Sequence, residues 1–307
     1  MRHLLLSFLL LLAVTQANAF ELITEKVTDN IYALVGEIGP RNYENHALNN
    51  TMGFIVTAKG VVLVSSGASP SGAQLIEQSI AKVTKQPVKW VINIGAQDHH
   101  WLGNSYFAER GAKIIALKQT VVSQKEHLDA HMTRLINVIK DQAKDVKPIY
   151  ANEVIDSDRK TLQFGDVKME LISTGGAHFP DDAMLWIAQQ QVVFAGDLVF
   201  HDRLLGVQPY TPVDKWQKAF KVMASLKPQY VIPGHGHSGS LAKSQKDTGN
   251  YLTFLVTRVK AALDDWKEIG ETVDSLSDAP KFKHLQFYDG WHRRNINRTY
   301  LYLESSQ

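Results

Sequence analysis

A chain of 307 residues with 33 basic and 31 acidic side chains is long enough for one large domain, and its net charge of +2 lacks the excess expected of a nucleic-acid or membrane-surface binder. It contains no cysteine. That excludes disulfides, thiolate nucleophiles and thiolate metal ligands, so any metal must be held by His, Asp, Glu or backbone groups.

At the N-terminus, Arg2 and His3 precede an apolar run from Leu4 to Val14, and Ala17-Asn18-Ala19 offers a small-x-small cleavage site. Residues 1–19 read as a secretory signal peptide cut after Ala19, because the run is shorter than the about 20 residues a membrane span needs. No Cys stands beside the site to take a lipid anchor, so the expected product is a soluble periplasmic domain of residues 20–307. Short β-rich runs follow at Ile31 to Val35, Phe54 to Thr57 and Val61 to Ser65. From Ser71 to Lys85 the apolar residues Leu75, Ile76, Ile80 and Val83 fall at helical spacing. A strand at Val88 to Ile94, a short helix at Ser105 to Arg110 and a strand at Lys113 to Leu117 come next, then a polar helical stretch from Thr120 to Lys144. Strands are expected at Val167 to Ser173, Ala183 to Ile187 and Val192 to Ala195. A helix at Val213 to Leu226, a strand at Tyr230 to Ile232 and one long helix from about Ser240 to Ile269 complete the series. The order strands, helices, strands, helices predicts an α+β fold with two sheets face to face and helices outside.

Four segments concentrate the chemistry. The first is Asn93-Ile94-Gly95-Ala96-Gln97-Asp98-His99-His100-Trp101-Leu102-Gly103-Asn104, between a strand and a helix. The others are Gly175-Gly176-Ala177-His178-Phe179-Pro180-Asp181-Asp182, then Val192-Val193-Phe194-Ala195-Gly196-Asp197, and Tyr230-Val231-Ile232-Pro233-Gly234-His235-Gly236-His237. Together with the hairpin around Asn49 to Val56 and Gly60 to Gly67, they resemble the metallo-β-lactamase superfamily from about Glu25 to the C-terminus. The first segment resembles its His-x-His-x-Asp-His loop. Anchored on Trp101 to Asn104, the family's last His falls on His100 and its Asp on His99, while the two leading His fall on Gly95 and Gln97. A register one residue earlier makes Asp98-His99 the Asp-His pair and puts Ile94 and Ala96 in the leading positions. The family's usual Asp is replaced by Ser65. The tail Asn295 to Glu304 resembles the closing segment of periplasmic zinc metallohydrolases of this superfamily linked to quinoprotein and sulfur-oxidation systems.

The resemblance implies an αββα sandwich and a two-metal site that has lost half of its imidazoles. Only His178 and Asp197 remain for the first ion, whereas His100, His235 and Asp197, with His99 or Asp98, remain for the second. The expectation is at most one zinc ion. With an open position it would acidify a water to a pKa of about 7 and support hydrolysis of an ester, thioester, amide or phosphoester. In that reading Asp197 or Asp98 orients the water, and His178 shuttles a proton or stabilises developing charge. The partner is a small-molecule substrate or ligand, with no nucleic acid and no membrane anchor; the oligomeric state is left open. A second class stays open: a non-catalytic protein of the same fold that binds a small ligand or partner in the cleft, favoured by Gly95, Gln97 and Ser65.

Other polar residues carry blander expectations. His127 and His131 have metal-binding spacing but sit among charges, which suggests a solvated helix face. His201, Asp202 and His237 are placed at the cleft or its mouth, and Trp101, Tyr288, Trp291 and His292 in the packing. No nucleophile elbow, phosphate loop or dinucleotide fingerprint is present in the sequence.

Overall fold

Period-two alternation along the strands sorts their side chains between apolar layers. The computed structural model describes residues 20–306, so the signal-peptide expectation for residues 1–19 lies outside the described residues. The first sheet runs in chain order through β1 (Ile23–Lys26), β2 (Ile31–Val35), β3 (Thr51–Thr57), β4 (Gly60–Val64), β5 (Val88–Asn93), β6 (Lys113–Leu117) and β7 (Glu153–Ile155). β4 shows the alternation: Val62 and Val64 point between the sheets, while Val61 and Leu63 pack outward beneath α1 (Pro70–Val83) and α2 (Asn104–Ala108). Pairing is antiparallel from β1 to β4 and parallel from β4 to β7.

The second sheet has the order β12-β11-β10-β9-β8, built from β8 (Arg159–Phe164), β9 (Val167–Ser173), β10 (Ala183–Ile187), β11 (Val192–Phe200) and β12 (Tyr230–His235). In β11, Val192 and Phe194 enter the layer between the sheets and Val193 and Ala195 face outward. That outer face is covered by α4 (Val213–Ser225), α6 (Asn250–Asp264), α7 (Ile269–Leu276) and α8 (Tyr288–Ser305). α3 (Lys118–Ile139) forms a separate cluster over Trp101 and Leu102 with Leu135 and Ile139. The layer order is helix, sheet, sheet, helix, as expected from the sequence. No helix among the described residues is long and apolar enough to cross a membrane.

Several elements differ from the sequence reading. β1, β7 and β8 were not anticipated, because they are short or charged edge pieces; in β8 only Leu162 and Phe164 are buried. The long helix expected from Ser240 to Ile269 is divided into α5 (Leu241–Ser244), a π-helical turn at Gln245–Gly249 and α6. Thr248 turns its hydroxyl onto the backbone of Phe200, accepting from its N–H at 2.9 Å and donating to its carbonyl at 2.6 Å, and the π turn presents it there. The chain then reverses at Trp266, which takes a left-handed φ of 57°. The tail around Tyr300 and Tyr302 lies within α8.

Candidate metal centre and cleft

Strand ends converge on one corner of the sandwich. β5 delivers the loop from Ile94 to Gly103, β11 delivers Asp197, β12 ends on His235, and the β9–β10 connection carries His178. The close approach of β11 and β12 requires glycine at position 234, where a Cβ would lie 2.2 Å from Asp197 Oδ1.

His99, Asp197 and His235 present ligand atoms that all lie within 4.8 Å of one another, and all three are buried. His99 Nε2 is 3.3 Å from Asp197 Oδ2 and His235 Nε2 is 3.5 Å from Oδ1. His100 stands beside them, its Nε2 3.2 Å from that of His99 and 3.7 Å from Asp197 Oδ1. At these distances both Asp197 oxygens lack a hydrogen-bond partner although the side chain is buried. A carboxylate in that state carries a desolvation penalty that a cation would offset.

The histidines are held from behind. His235 Nδ1–H donates to the Asn49 carbonyl at 2.7 Å, which leaves the Nε2 lone pair facing Asp197. Arg203, a donor only, stands 3.3 Å from the same Nδ1 and so does not share that proton. His100 Nδ1 meets Ser65 Oγ at 2.8 Å, so the serine at the family's usual aspartate position still orients a ring of the cluster. Burial pushes His99 down to about 4 and His235 well below the usual imidazole value, Arg203 adding to the effect at His235. Both rings are therefore neutral at pH 7, the form a metal requires. Burial opposes the charge on Asp197, but His99, His235 and His100 hold its carboxyl well below the ordinary range.

The loop anchored on Trp101 places His99, not Asp98, in the cluster. Asp98 is fully buried and both its oxygens are bound by Arg41, through Nη1 at 2.7 Å and through Nη2. Oδ1 also accepts the His99 N–H at 2.8 Å, so Asp98 is committed to fixing Arg41 and the loop and stands apart from the cluster. His178 lies outside the tight cluster; it is buried, its Nδ1 has no partner and it faces the cleft. Burial lowers it to about 4, so it is a neutral base at pH 7. Gly95 cannot be a vacant histidine position in this packing: a Cβ there would lie 2.2 Å from His100 Cδ2 and 2.7 Å from its Nε2. Gln97 is half-buried at the cleft with Oε1 unpartnered.

His235 and His178 face a cleft of about 550 Å³ whose walls include Arg41, Arg134, Arg203, Val138, Phe287 and Trp291. The three arginines were not singled out from the sequence; Arg203 follows His201-Asp202, and only its position after the Asp197 strand hinted at it. His201 and Asp202 do not line this cleft. His201 is buried between the His237 carbonyl and Ser244 Oγ, and Asp202 accepts from Lys243 at 2.6 Å. His237 pairs with Glu25 of β1 at 2.6 Å. His131, expected on a solvated face, is fully buried with neither ring nitrogen partnered, against Phe179 and His127. Trp101, Tyr288 and His292 pack in the interior as expected, whereas Trp291 is a cleft wall.

Asp182 reaches this corner from the β9–β10 connection. It accepts from the N–H groups of Phe179 at 2.8 Å and Ala96 at 3.3 Å, tying the His178 loop to the His99 loop. Burial and the charge of Asp197 raise it to about 7.

The family model described as the metallo-beta-lactamase superfamily matches residues 47–235. A type 2 metallo-beta-lactamase of Bacillus sp. (strain 170) is 27% identical over 187 residues, which is 60% of this chain and 65% of the relative. The matched region therefore spans just under two thirds of that relative's length. Metallo-beta-lactamase IND-1 of Chryseobacterium indologenes is 25% identical over 67% of this chain and 77% of its own. Among solved structures, a metallo-beta-lactamase from Pontibacter korlensis superposes with a TM-score of 0.62 at 19% identity, covering 76% of this chain and 99% of that one. A stereoselective inverting sec-alkylsulfatase from Pseudomonas sp. gives 0.70 at 16% identity, covering 90% of this chain and 49% of its own.

Proposed function

Because the chain belongs to the metallo-β-lactamase superfamily, we propose that it is an exported hydrolase of the periplasm that works with a single zinc ion, held by His99, Asp197 and His235 with His100 beside them. The observation that carries this reading is Asp197: a buried carboxylate with both oxygens unpartnered, facing the Nε2 atoms of His99 and of His235, the latter turned by the Asn49 carbonyl, with His100 held beside them by Ser65. When bound, zinc would supply Lewis acidity and an acidified water at neutral pH.

The chain's own residues then divide the remaining work. Asp197 and the three histidines fix the reacting centre at the inner end of the cleft. His178, neutral at pH 7 and lining the cleft, would accept or pass a proton there. Phe200 stacks on the His235 ring at 4.7 Å between centroids and keeps that side of the centre dry. The substrate is a small ester, thioester, amide or phosphoester. β-Lactams and sec-alkyl sulfates join the test panel because similar proteins are named for them.

The test is hydrolysis of that panel with zinc and after chelation, in the native protein and in His100→Ala and His235→Ala. Turnover that needs zinc and is lost in both variants supports the reading, and turnover that survives both overturns it. The second reading, a ligand-binding protein without catalysis, is favoured by Gly95, where the His100 ring fills the place of a side chain. It becomes the better account if no panel member is turned over under any metal condition.

A further inference from the structure

The cleft has more positive charge than the metal centre needs. Three guanidinium groups line it, Arg41, Arg134 and Arg203, and no Asp or Glu does. Arg41 is matched by Asp98. Arg134 and Arg203 have no carboxylate partner among the described residues. Arg203 is 4% exposed, yet its Nε has no partner and its Nη1 reaches only the Ile38 carbonyl, at 3.4 Å. Its guanidinium lies 4.8 Å from the Phe287 ring centre and 5.1 Å from that of Trp291. Two aromatic faces recover part of the cost of burying the charge but accept none of its directed N–H bonds. A guanidinium keeps its charge at pH 7. A buried cation with idle donors and an opening beside it is a seat for an anion.

We propose that the cleft takes an amphiphilic anion: a substrate whose carboxylate, phosphate or sulfate group is gripped by Arg203 and Arg134, and whose apolar part lies against Trp291, Phe287 and Val138. The geometry sets the order of the parts. His235 is shared between the centre and the anion seat, since Arg203 stands against its Nδ1 while its Nε2 faces Asp197. The anionic group is thus held about one imidazole ring away from the reacting centre. The inference deepens the hydrolase reading and rests on it only for what happens to the bound molecule.

Isothermal titration of the mature protein with 4-butylbenzoate, 4-butylbenzamide and 4-butylbenzylamine tests it, with zinc present and after chelation. The carboxylate should bind at least about tenfold more tightly than the other two in both states, the gain expected of hydrogen bonds to a charged group. The preference should shrink as salt rises. Arg134→Ala, at an exposed position that folding tolerates, should reduce it about threefold, as for a partly screened charge. Arg203→Gln should remove it and Arg203→Lys should keep part of it, with thermal midpoints showing which variants fold. Equal binding of the three ligands overturns the proposal, as does a preference unchanged in Arg134→Ala and in the folded Arg203 variants. A preference seen only with zinc present assigns the anion to the metal and also overturns it, leaving the hydrolase reading intact. Anion selectivity in a protein that neither binds zinc nor hydrolyses the panel overturns the hydrolase reading alone.

Discussion

At the scale of single residues, the centre depends on side chains that would not touch a bound ion. Ser65 is the clearest case. Its hydroxyl is 2.8 Å from His100 Nδ1, and it holds a left-handed φ of 67° to place it there. Removing an outer partner of this kind lowers metal affinity about 10- to 100-fold. Ser65→Ala should therefore weaken zinc binding by about that factor, read by competition with a chelating dye, while circular dichroism stays unchanged. Gly95 makes the opposite point. Adding one methyl there puts a carbon 2.2 Å from the His100 ring, so Gly95→Ala should cost about 1–3 kcal/mol of stability in urea unfolding and weaken zinc binding as well. Reintroducing histidines at Gly95 and Gln97 would displace His100 before it recruited a second ion. An unperturbed unfolding midpoint in Gly95→Ala would show that the loop can yield.

The elements carry the site through their ends. β11 and β12 pair in parallel with register shifts at Gly196 and Phe200, which bring Asp197 and His235 to one corner. α8 holds the cleft wall from outside: Asn295 donates to the Leu205 carbonyl at 2.7 Å and accepts from the Val207 N–H at 2.9 Å, clamping the segment that follows Arg203. Asn295→Ala leaves both buried backbone groups unpaired and should cost about 1–3 kcal/mol, seen as a lower urea midpoint. Most of this layer was legible in the sequence. Strands such as Ile31–Val35, Lys113–Leu117 and Val167–Ser173 announce themselves by apolar β-rich composition, and the motif-bearing turns follow them in order. The arginine seat was not legible, because an isolated Arg in a loop has the same local pattern whether it meets solvent, a carboxylate or nothing. His131 misled for a similar reason: its neighbours in sequence are charged, but its face of α3 packs on Phe179, which arrives from a distant loop.

Across the whole molecule, buried neutral histidines make the fold sensitive to acid. Burial holds His131 and His201 at about 4, against an ordinary value of 6.5. Between those pH values the unfolded chain takes up protons that the fold refuses, so stability should fall as pH drops from about 6.5 toward 4. His131→Leu removes one such group and two unpartnered nitrogens. Its urea midpoint should exceed that of the native protein at pH 7, and the difference should widen at pH 5. A difference that narrows toward pH 5 would contradict the burial argument.

The central claim is that the His-x-His-x-Asp-His pattern has contracted to a single ion site around Asp197. Elemental analysis of the purified protein after zinc saturation and dialysis tests it most directly. The account predicts one tightly held zinc per chain, lost in both Asp197→Asn and His235→Ala. Two tightly held ions, none, or one that survives both substitutions would contradict it.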